Sequence, residues 1–503
     1  MRFDFHQSKF IETEIAPEKL ALSGSDADCS WQQLYEETEK LSETLLLLNI
    51  PAGEPVIIYG HKEAWFAIAM LACYHSKTTY TPIDKIYPEE RVKRIMEITK
   101  AQVVINCTGT ALPLALPCAI EISTKGEVIP HKSPQHNRPR KEFGEDVLQY
   151  IMFTSGSTGE PKGVQILRSS VLTFVDWSTT AFGFSSKDVF LNQAPFTFDV
   201  SLCDLLNAFA LGGTLVLSAA ELTKDQDAFL NRVIHYKCTV WTSTPSFVFI
   251  YLRHPFFTSG TMPDLRTFLF MGEELPSRTC TTLHTKFPES RVLNAYGPTE
   301  ATIVTTLVEI TPEIATQQAS VPIGFPMPAS TLLIDNGGGD IREGELIIVG
   351  PHVSPGYFNR EDLNEKKFYM HEGQRAFRTG DVAYYEQGMI YFLGRNDDQV
   401  KLHGFRIELD EISHVLCEHA EIDEAVTVPL KRNNEVKKII SFVKSSKHTI
   451  GVDLRETVLP MLSSRLPYYM IPAEVIVIDD FPYNVSHKID KNKLVEMYME
   501  GLR

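Results

Sequence analysis

Tyr150-Ile-Met-Phe-Thr-Ser-Gly-Ser-Thr-Gly-Glu-Pro-Lys-Gly163 joins an apolar, strand-like lead to a loop of small residues, hydroxyls and one lysine. Gly156, Gly159 and Gly163 allow the backbone to approach a ligand and to adopt positive φ. Thr154, Ser155, Ser157 and Thr158 can donate to phosphate oxygens, and Lys162 adds a compact positive charge. The spacing is not that of the Walker A loop, in which Gly-Lys-Ser/Thr follows the first glycine after four residues. Clusters of Ser, Thr and Gly are ordinarily plain surface loops. Further motifs downstream decide between the two readings.

Outward from this loop, the chain alternates short β-branched or aliphatic runs with longer amphipathic stretches. Strands are predicted at 55–59, 101–106 and 214–218, and helices at 64–71 and 88–98, the latter with Pro88 suited to a first turn. Such alternation implies a parallel sheet with helical crossovers. Residues 344–350 and 389–393 read as a strand-rich element. Beyond Gly394 the pattern changes to helix at 408–418, strands at 424–428 and 439–443, and helix at 452–466. A domain boundary is therefore expected near Asp397. The stretch 311–320 reads as an ordinary loop.

At 503 residues the chain is long for one core, and two or more domains are expected. Its 43% hydrophobic and 22% charged content is that of a globular protein. A net charge of −16 disfavours nucleic acid as a partner, because polyanions are bound by basic surfaces. Met1-Arg-Phe-Asp-Phe-His lacks the basic-then-apolar order of a secretory signal, and the apolar run 65–74 is too short to span a bilayer. An integral membrane protein is not expected. The eight cysteines are scattered without a Cys-x-x-Cys pair and read as reduced, mostly buried thiols of a cytoplasmic protein.

Asn294-Ala-Tyr-Gly-Pro-Thr-Glu300, Phe377-Arg-Thr-Gly-Asp381, Gly394-Arg-Asn-Asp-Asp-Gln-Val-Lys-Leu-His-Gly-Phe-Arg-Ile-Glu408 and His487-Lys-Ile-Asp490 follow the glycine-rich loop in order. Together they resemble the signature of the adenylate-forming superfamily, which makes acyl-AMP from a carboxylate and ATP. The resemblance covers nearly the whole chain. It implies an α/β fold with a large N-terminal domain of layered sheets and helices (1–396) and a small, mobile α+β C-terminal domain (397–503).

It also implies roles. Thr154, Ser155, Gly156, Ser157, Thr158, Gly159 and Lys162 would hold the ATP phosphates, with Asn294, Ala295, Tyr296 and Gly297 completing the nucleotide site. Tyr296 would offer a face for adenine, Thr299 would reach the α-phosphate, and Asp381, supported by Arg395, would accept from the ribose hydroxyls. Glu300 would be the Mg²⁺ ligand, since Mg²⁺ takes few carboxylates plus phosphate oxygens. Lys488 would be the catalytic cation between substrate carboxylate and α-phosphate; the residue before it is His487 where the family usually has glycine. Asp397 would be the hinge about which the C-terminal domain turns, presenting 401–404 for a second half-reaction with a thiol.

Phe198-Asp-Val-Ser-Leu-Cys203 resembles the amino-acid-activating branch, in which the aspartate pairs with the substrate α-ammonium. Asp199 can form that charge-assisted bond. The alternative is an aspartate that merely caps the helix it precedes. By motif alignment the pocket would be lined by Val200, Cys203, Thr242, Leu269, Met271, Ala295, Ile303 and Val304, with Lys488 at the carboxylate end. Met271 would project where many family members have a small residue, which implies a small amino acid as substrate.

Asn192-Gln-Ala-Pro-Phe-Thr-Phe-Asp199, Val240-Trp-Thr-Ser-Thr-Pro-Ser-Phe247, Thr267-Phe-Leu-Phe-Met-Gly-Glu273 and Lys401-Leu-His-Gly-Phe-Arg406 look like the branch that loads D-alanine onto a carrier protein for teichoic acid D-alanylation. That branch typically has cysteine where Met271 stands. Glycine, L-alanine or another small amino acid, loaded for a nonribosomal peptide pathway, is the alternative. A phosphopantetheinylated carrier protein in trans is the expected thiol partner, with coenzyme A as the alternative.

Overall fold

The computed structural model describes all residues except 52, 113–118, 124–126, 131–146, 157–159, 318–319, 338–342, 433–434, 446–453, 484–488 and 502–503. The predicted Ser157, Thr158, Gly159 and Lys488 thus lie outside the described residues.

Packing divides the chain into two units. One comprises Met1–Lys85, Glu97–Phe153 and Gly163–Asn396; the other comprises Ile86–Met96, Thr154–Lys162 and Asp397–Arg503. The second unit thus begins its long segment at Asp397 and also takes in two short pieces from earlier in the chain, one of them the glycine-rich loop.

Among the described residues the first unit has three large sheets and a two-stranded one, Arg2–Asp4 with Lys9–Ile11. Among the described residues a nine-stranded sheet runs Phe325–Pro326, Thr306–Glu309, Arg291–Tyr296, Thr267–Phe270, Val240–Ser243, Val189–Asn192, Thr214–Leu217, Leu20–Ser23 and Asp28–Ser30. Its centre is parallel: Thr242 pairs with Leu269, and Leu269 with Leu293. The strand interiors are buried on both faces, which is why they read as continuous apolar runs rather than as alternation. A seven-stranded sheet includes Val56–Gly60, Tyr80–Asp84 and Leu148–Thr154, all buried or nearly so.

The helix Ala64–Ser76 explains the apolar run at 65–74. Its residues are buried on all sides except at His75, as befits a helix enclosed in a core. A third, antiparallel sheet contains Glu343–Val349, Gln374–Glu386 and Met389–Arg395. In it Asp381 stands opposite Arg395.

The loop expected at 311–320 is corrected by a short helix, Pro312–Gln317. Thr311 accepts the Ile314 N–H at 3.3 Å, proline begins the first turn, and Ala315 is buried in the core of the unit. The capping chemistry was in the sequence, but the segment is too short for a periodic signal.

In the second unit, Glu424–Arg432, Glu435–Lys444 and Glu474–Val477 form a sheet against which Leu409–Cys417 and Leu454–Arg465 pack. Ahead of it, Gln399–Leu402 and Phe405–Glu408 form a hairpin. Its two-residue turn has His403 at φ 53° and Gly404 at φ 86°, the left-handed pair that a tight hairpin of this twist needs.

Among the described residues no helix is long and apolar enough to cross a membrane. Of the described cysteines, six are buried and Cys417 is exposed.

Candidate active site

In the first unit, the strand Arg291–Tyr296 delivers the Asn-Ala-Tyr-Gly motif. Tyr296 is almost wholly buried, and its hydroxyl donates to Asp381 Oδ2 at 2.5 Å. Arg395 binds Asp381 Oδ1 and also donates to the Thr379 carbonyl at 3.1 Å. Burial and the adjacent Asp381 charge push the Tyr296 phenol well up, so it stays a donor. Three predicted nucleotide residues therefore form one connected cluster with a carboxylate at its centre.

Asn294 instead braces the neighbouring chain, its amide donating to the Pro322 carbonyl at 2.8 Å. A side chain on Gly297 would lie 2.5 Å from Val304 Cα, so only glycine permits this return of the chain.

Glu300 lies in the turn Thr299–Ala301 and is completely buried. Tyr357 donates its hydroxyl to Glu300 Oε1 at 2.7 Å, and the Ser354 N–H binds the Glu300 carbonyl at 2.8 Å. Directly after it, Thr302 (φ 54°) and Ile303 (φ 72°) are both left-handed. A β-branched residue there is strained, at about 1–3 kcal/mol, and such strain clusters at functional sites. The Thr302 hydroxyl donates to the His352 carbonyl at 2.6 Å and helps to hold this conformation. An oriented, buried carboxylate oxygen set fits the hard-oxygen preference of Mg²⁺. Neither Tyr357 nor His352 was found from sequence, because no local spacing links them to Glu300.

His352 is fully buried, and burial, with a smaller effect of Arg375, pushes its imidazole from 6.5 down to about 4. Between these values the unfolded chain binds a proton that the folded chain does not. This contribution to stability is complete above pH 6.5 and is lost as pH falls toward 4, by about 3 kcal/mol in all. Urea unfolding at pH 7 and pH 4.5 should show the loss, and His352→Asn should flatten this part of the pH dependence.

The predicted amino-acid residues converge on the same unit. Thr242, Leu269 and Ala295 lie near the carboxyl ends of three adjacent parallel strands, where open α/β sheets bind ligands. Met271 follows directly, 1% exposed, and Gly272 turns the chain at φ 90°. Cys203, Leu269, Met271, Ala295, Ile303 and Val304 belong to one apolar core, with Val200 packed against it.

Asp199 stands at the N-terminal boundary of Val200–Leu211, yet its side chain makes no capping hydrogen bond. The capping alternative therefore does not describe it. Burial raises the Tyr150 phenol, with Tyr74 and then Asp199 adding to it, and burial with Asp204 and then Asp199 raises the Cys203 thiol.

In the second unit, the described part of the glycine-rich loop is tied to residues 405–411. Lys162 Nζ pairs with Glu408 Oε1 at 3.0 Å, and Gln399 donates to the same oxygen at 2.7 Å. Ser155 donates to the Arg406 carbonyl at 2.8 Å, and the Gly156 N–H donates to Glu411 Oε2 at 2.9 Å. Glu411 is also paired with Arg91 at 3.0 Å. A Cβ on Gly156 would meet the Glu160 carbonyl at 2.0 Å, which explains the glycine. The loop's lysine, hydroxyl and amide thus all bind oxygen acceptors, two of them carboxylates. Asp397 accepts from the Gln399 N–H at 3.4 Å.

Comparison with known proteins now decides the family. The AMP-binding enzyme family matches residues 12–358. A D-alanine–D-alanyl carrier protein ligase of Bacillus licheniformis is 36% identical over 502 residues, covering 97% of this chain and 99% of the relative. The chain belongs to the AMP-binding enzymes.

A Bacillus anthracis protein of the same name is 35% identical over 96% of this chain and 97% of its own length. Solved members share the fold. The Vibrio cholerae adenylation domain AlmE, in complex with glycyl-adenosine-5'-phosphate, has a TM-score of 0.81 at 22% identity, covering 98% of this chain and 99% of that one. PA1221, a protein with adenylation and PCP domains, has a TM-score of 0.79 at 24% identity, covering 95% of this chain and 81% of that one. This AMP-binding enzyme therefore has the α/β acyl-adenylate synthetase fold, and it is a ligase.

Proposed function

We propose that this ligase activates D-alanine as D-alanyl-AMP and passes the aminoacyl group to the phosphopantetheine thiol of a separate carrier protein, for teichoic acid D-alanylation. The observation that carries the reading is Asp199, a carboxylate at a helix start that does not cap the helix and directly precedes Val200, which packs against the apolar core that holds Cys203 and Met271. Its support in sequence is the full-length similarity to D-alanine–D-alanyl carrier protein ligases.

In the first step a carboxylate oxygen of the amino acid bonds to the α-phosphorus of ATP, and the bond to the β-phosphate bridging oxygen breaks to release pyrophosphate. Lys162 and the loop hydroxyls hold the leaving phosphates, Asp381 with Arg395 and Tyr296 holds the nucleoside, and Lys488 offsets charge on the reacting oxygens. Glu300, oriented by Tyr357, would hold Mg²⁺, which screens the phosphates. In the second step the carrier thiol, deprotonated, attacks the carbonyl and AMP leaves. The reading places this activity in the cytoplasm, with no nucleic-acid partner, as the net charge of −16 favours.

Amino-acid-dependent ATP–pyrophosphate exchange across D-alanine, L-alanine, glycine, D- and L-serine and β-alanine tests this reading. D-alanine is expected to give the highest kcat/KM. A pocket of this kind separates substrates differing by one methylene by about 1–3 kcal/mol, so glycine should lag by roughly 10-fold or more. Preference for glycine or L-alanine would trace to Met271 and move the enzyme to a biosynthetic carrier-protein pathway. No exchange with any member would overturn amino-acid activation.

A further inference from the structure

Lys62 is a fully buried lysine that the proposed chemistry does not use. It follows the strand Val56–Gly60, and its ammonium reaches across to the segment leading to Asp199. There it donates to Asn192 Oδ1 and, at 2.5 Å, to the Ala194 carbonyl. It also sits over the Phe196 ring, 4.0 Å from its centroid, and Phe66 stacks on that ring at 4.9 Å.

Asn192 passes the connection on. Its amide donates to the Ser201 carbonyl at 2.8 Å and to Asp204 Oδ2 at 3.1 Å, both on the helix Val200–Leu211. One ammonium therefore grips the start of the segment 192–199, and one amide grips the helix at its end. Between them the turn is closed by the Phe198 N–H on the Pro195 carbonyl at 2.9 Å.

We propose that Lys62 is a positioning residue for the amino-acid subsite, fixing through Asn192 and the Ala194 carbonyl the turn that presents Asp199 and the helix that carries Cys203. This rests on the reading of Asp199 given above.

The energetics agree with a constrained device rather than with filler. Burial lowers Lys62 to about 7 and raises Asp204 to about 7, with the neighbouring Thr242 hydroxyl and Asn192 amide only partly offsetting the latter. Two buried ionisable groups are costly where an apolar side chain of similar length would fill the space. What methionine could not supply is the donor that joins two acceptors in the 192–199 segment. The Lys62 amine donates to both acceptors, and two such bonds to one short segment hold its turn in one conformation.

The test compares wild type with Lys62→Met by two readouts: steady-state pyrophosphate exchange and amide hydrogen exchange. Positioning predicts that KM for the amino acid rises about 10-fold while KM for ATP stays within about twofold. It also predicts that amides of residues 194–202 exchange about 10-fold faster, with little change in the strand Val56–Gly60. If Lys62→Met yields too little folded protein, Lys62→Gln, which keeps an N–H donor, serves both readouts and should be intermediate. Unchanged KM and unchanged exchange at 194–202 would overturn the proposal. So would acceleration spread evenly through Ala64–Ser76 and Val200–Leu211, the mark of general loosening. Wild type that is silent toward every amino acid refutes the activity reading instead, and the hydrogen-exchange pattern then decides the role of Lys62 by itself.

Discussion

Replacement of Lys488 by alanine is expected to cut amino-acid-dependent pyrophosphate exchange by about 100- to 1,000-fold, the usual loss when one preorganised donor to developing charge is removed. The reason is electrostatic. A carboxylate and a polyphosphate are both anions, and charge accumulates on the α-phosphate oxygens only as the new bond forms. A cation that acts there contributes little to ground-state ATP binding and much to the transition state, so kcat should fall while the dissociation constant for ATP stays nearly unchanged. Equilibrium binding of ATP to Lys488→Ala, measured beside the exchange rate, separates the two effects. Exchange at the wild-type rate would remove Lys488 from the chemistry.

Asp199→Asn is the second large effect. The substitution keeps size and shape but removes the charge that would meet the α-ammonium, leaving an ammonium desolvated without its counter-ion. Truncating one partner of such a pair costs about 2–5 kcal/mol, so KM for the amino acid should rise about 100-fold, with KM for ATP unaffected. The variant should also lose preference for the amino acid over the corresponding acid without an amine, because the discriminating group is gone. Asparagine keeps the size and an acceptor oxygen of Asp199, which is not a helix cap, so thermal stability should change far less than KM. A large fall in stability with unchanged KM would make Asp199 a structural residue after all.

Much of the fold was legible because its signals are local. The runs at 55–59 and 214–218 became the strands Val56–Gly60 and Thr214–Leu217, and the amphipathic stretch at 88–98 became the helix Glu89–Thr99. Strand interiors buried on both faces and helices with one apolar face leave patterns that depend only on neighbours in sequence. The 311–320 segment shows the limit: its one turn of helix rests on a threonine cap and a buried alanine, and burial is not a local property.

Candidate site residues were legible where a motif carries them, as with Asp381, Glu300 and Asp199. Their partners were not. Tyr357 meets Glu300 across 57 residues of chain, and Lys62 meets Asn192 across 130. Nothing in the composition of either segment signals the other.

The sequence by itself determined the family, the strand-and-helix order and the residue types able to hold phosphate, ribose and an α-ammonium, because each of these follows from short motifs and periodicity. Only the tertiary structure decided that Asp199 is not a helix cap, that Tyr296 and Arg395 share Asp381, and that a lysine is buried beneath the segment leading to Asp199. The physical reason is that hydrogen-bond partnership depends on how strands return beside one another, and that return is chosen by the packing of the whole core.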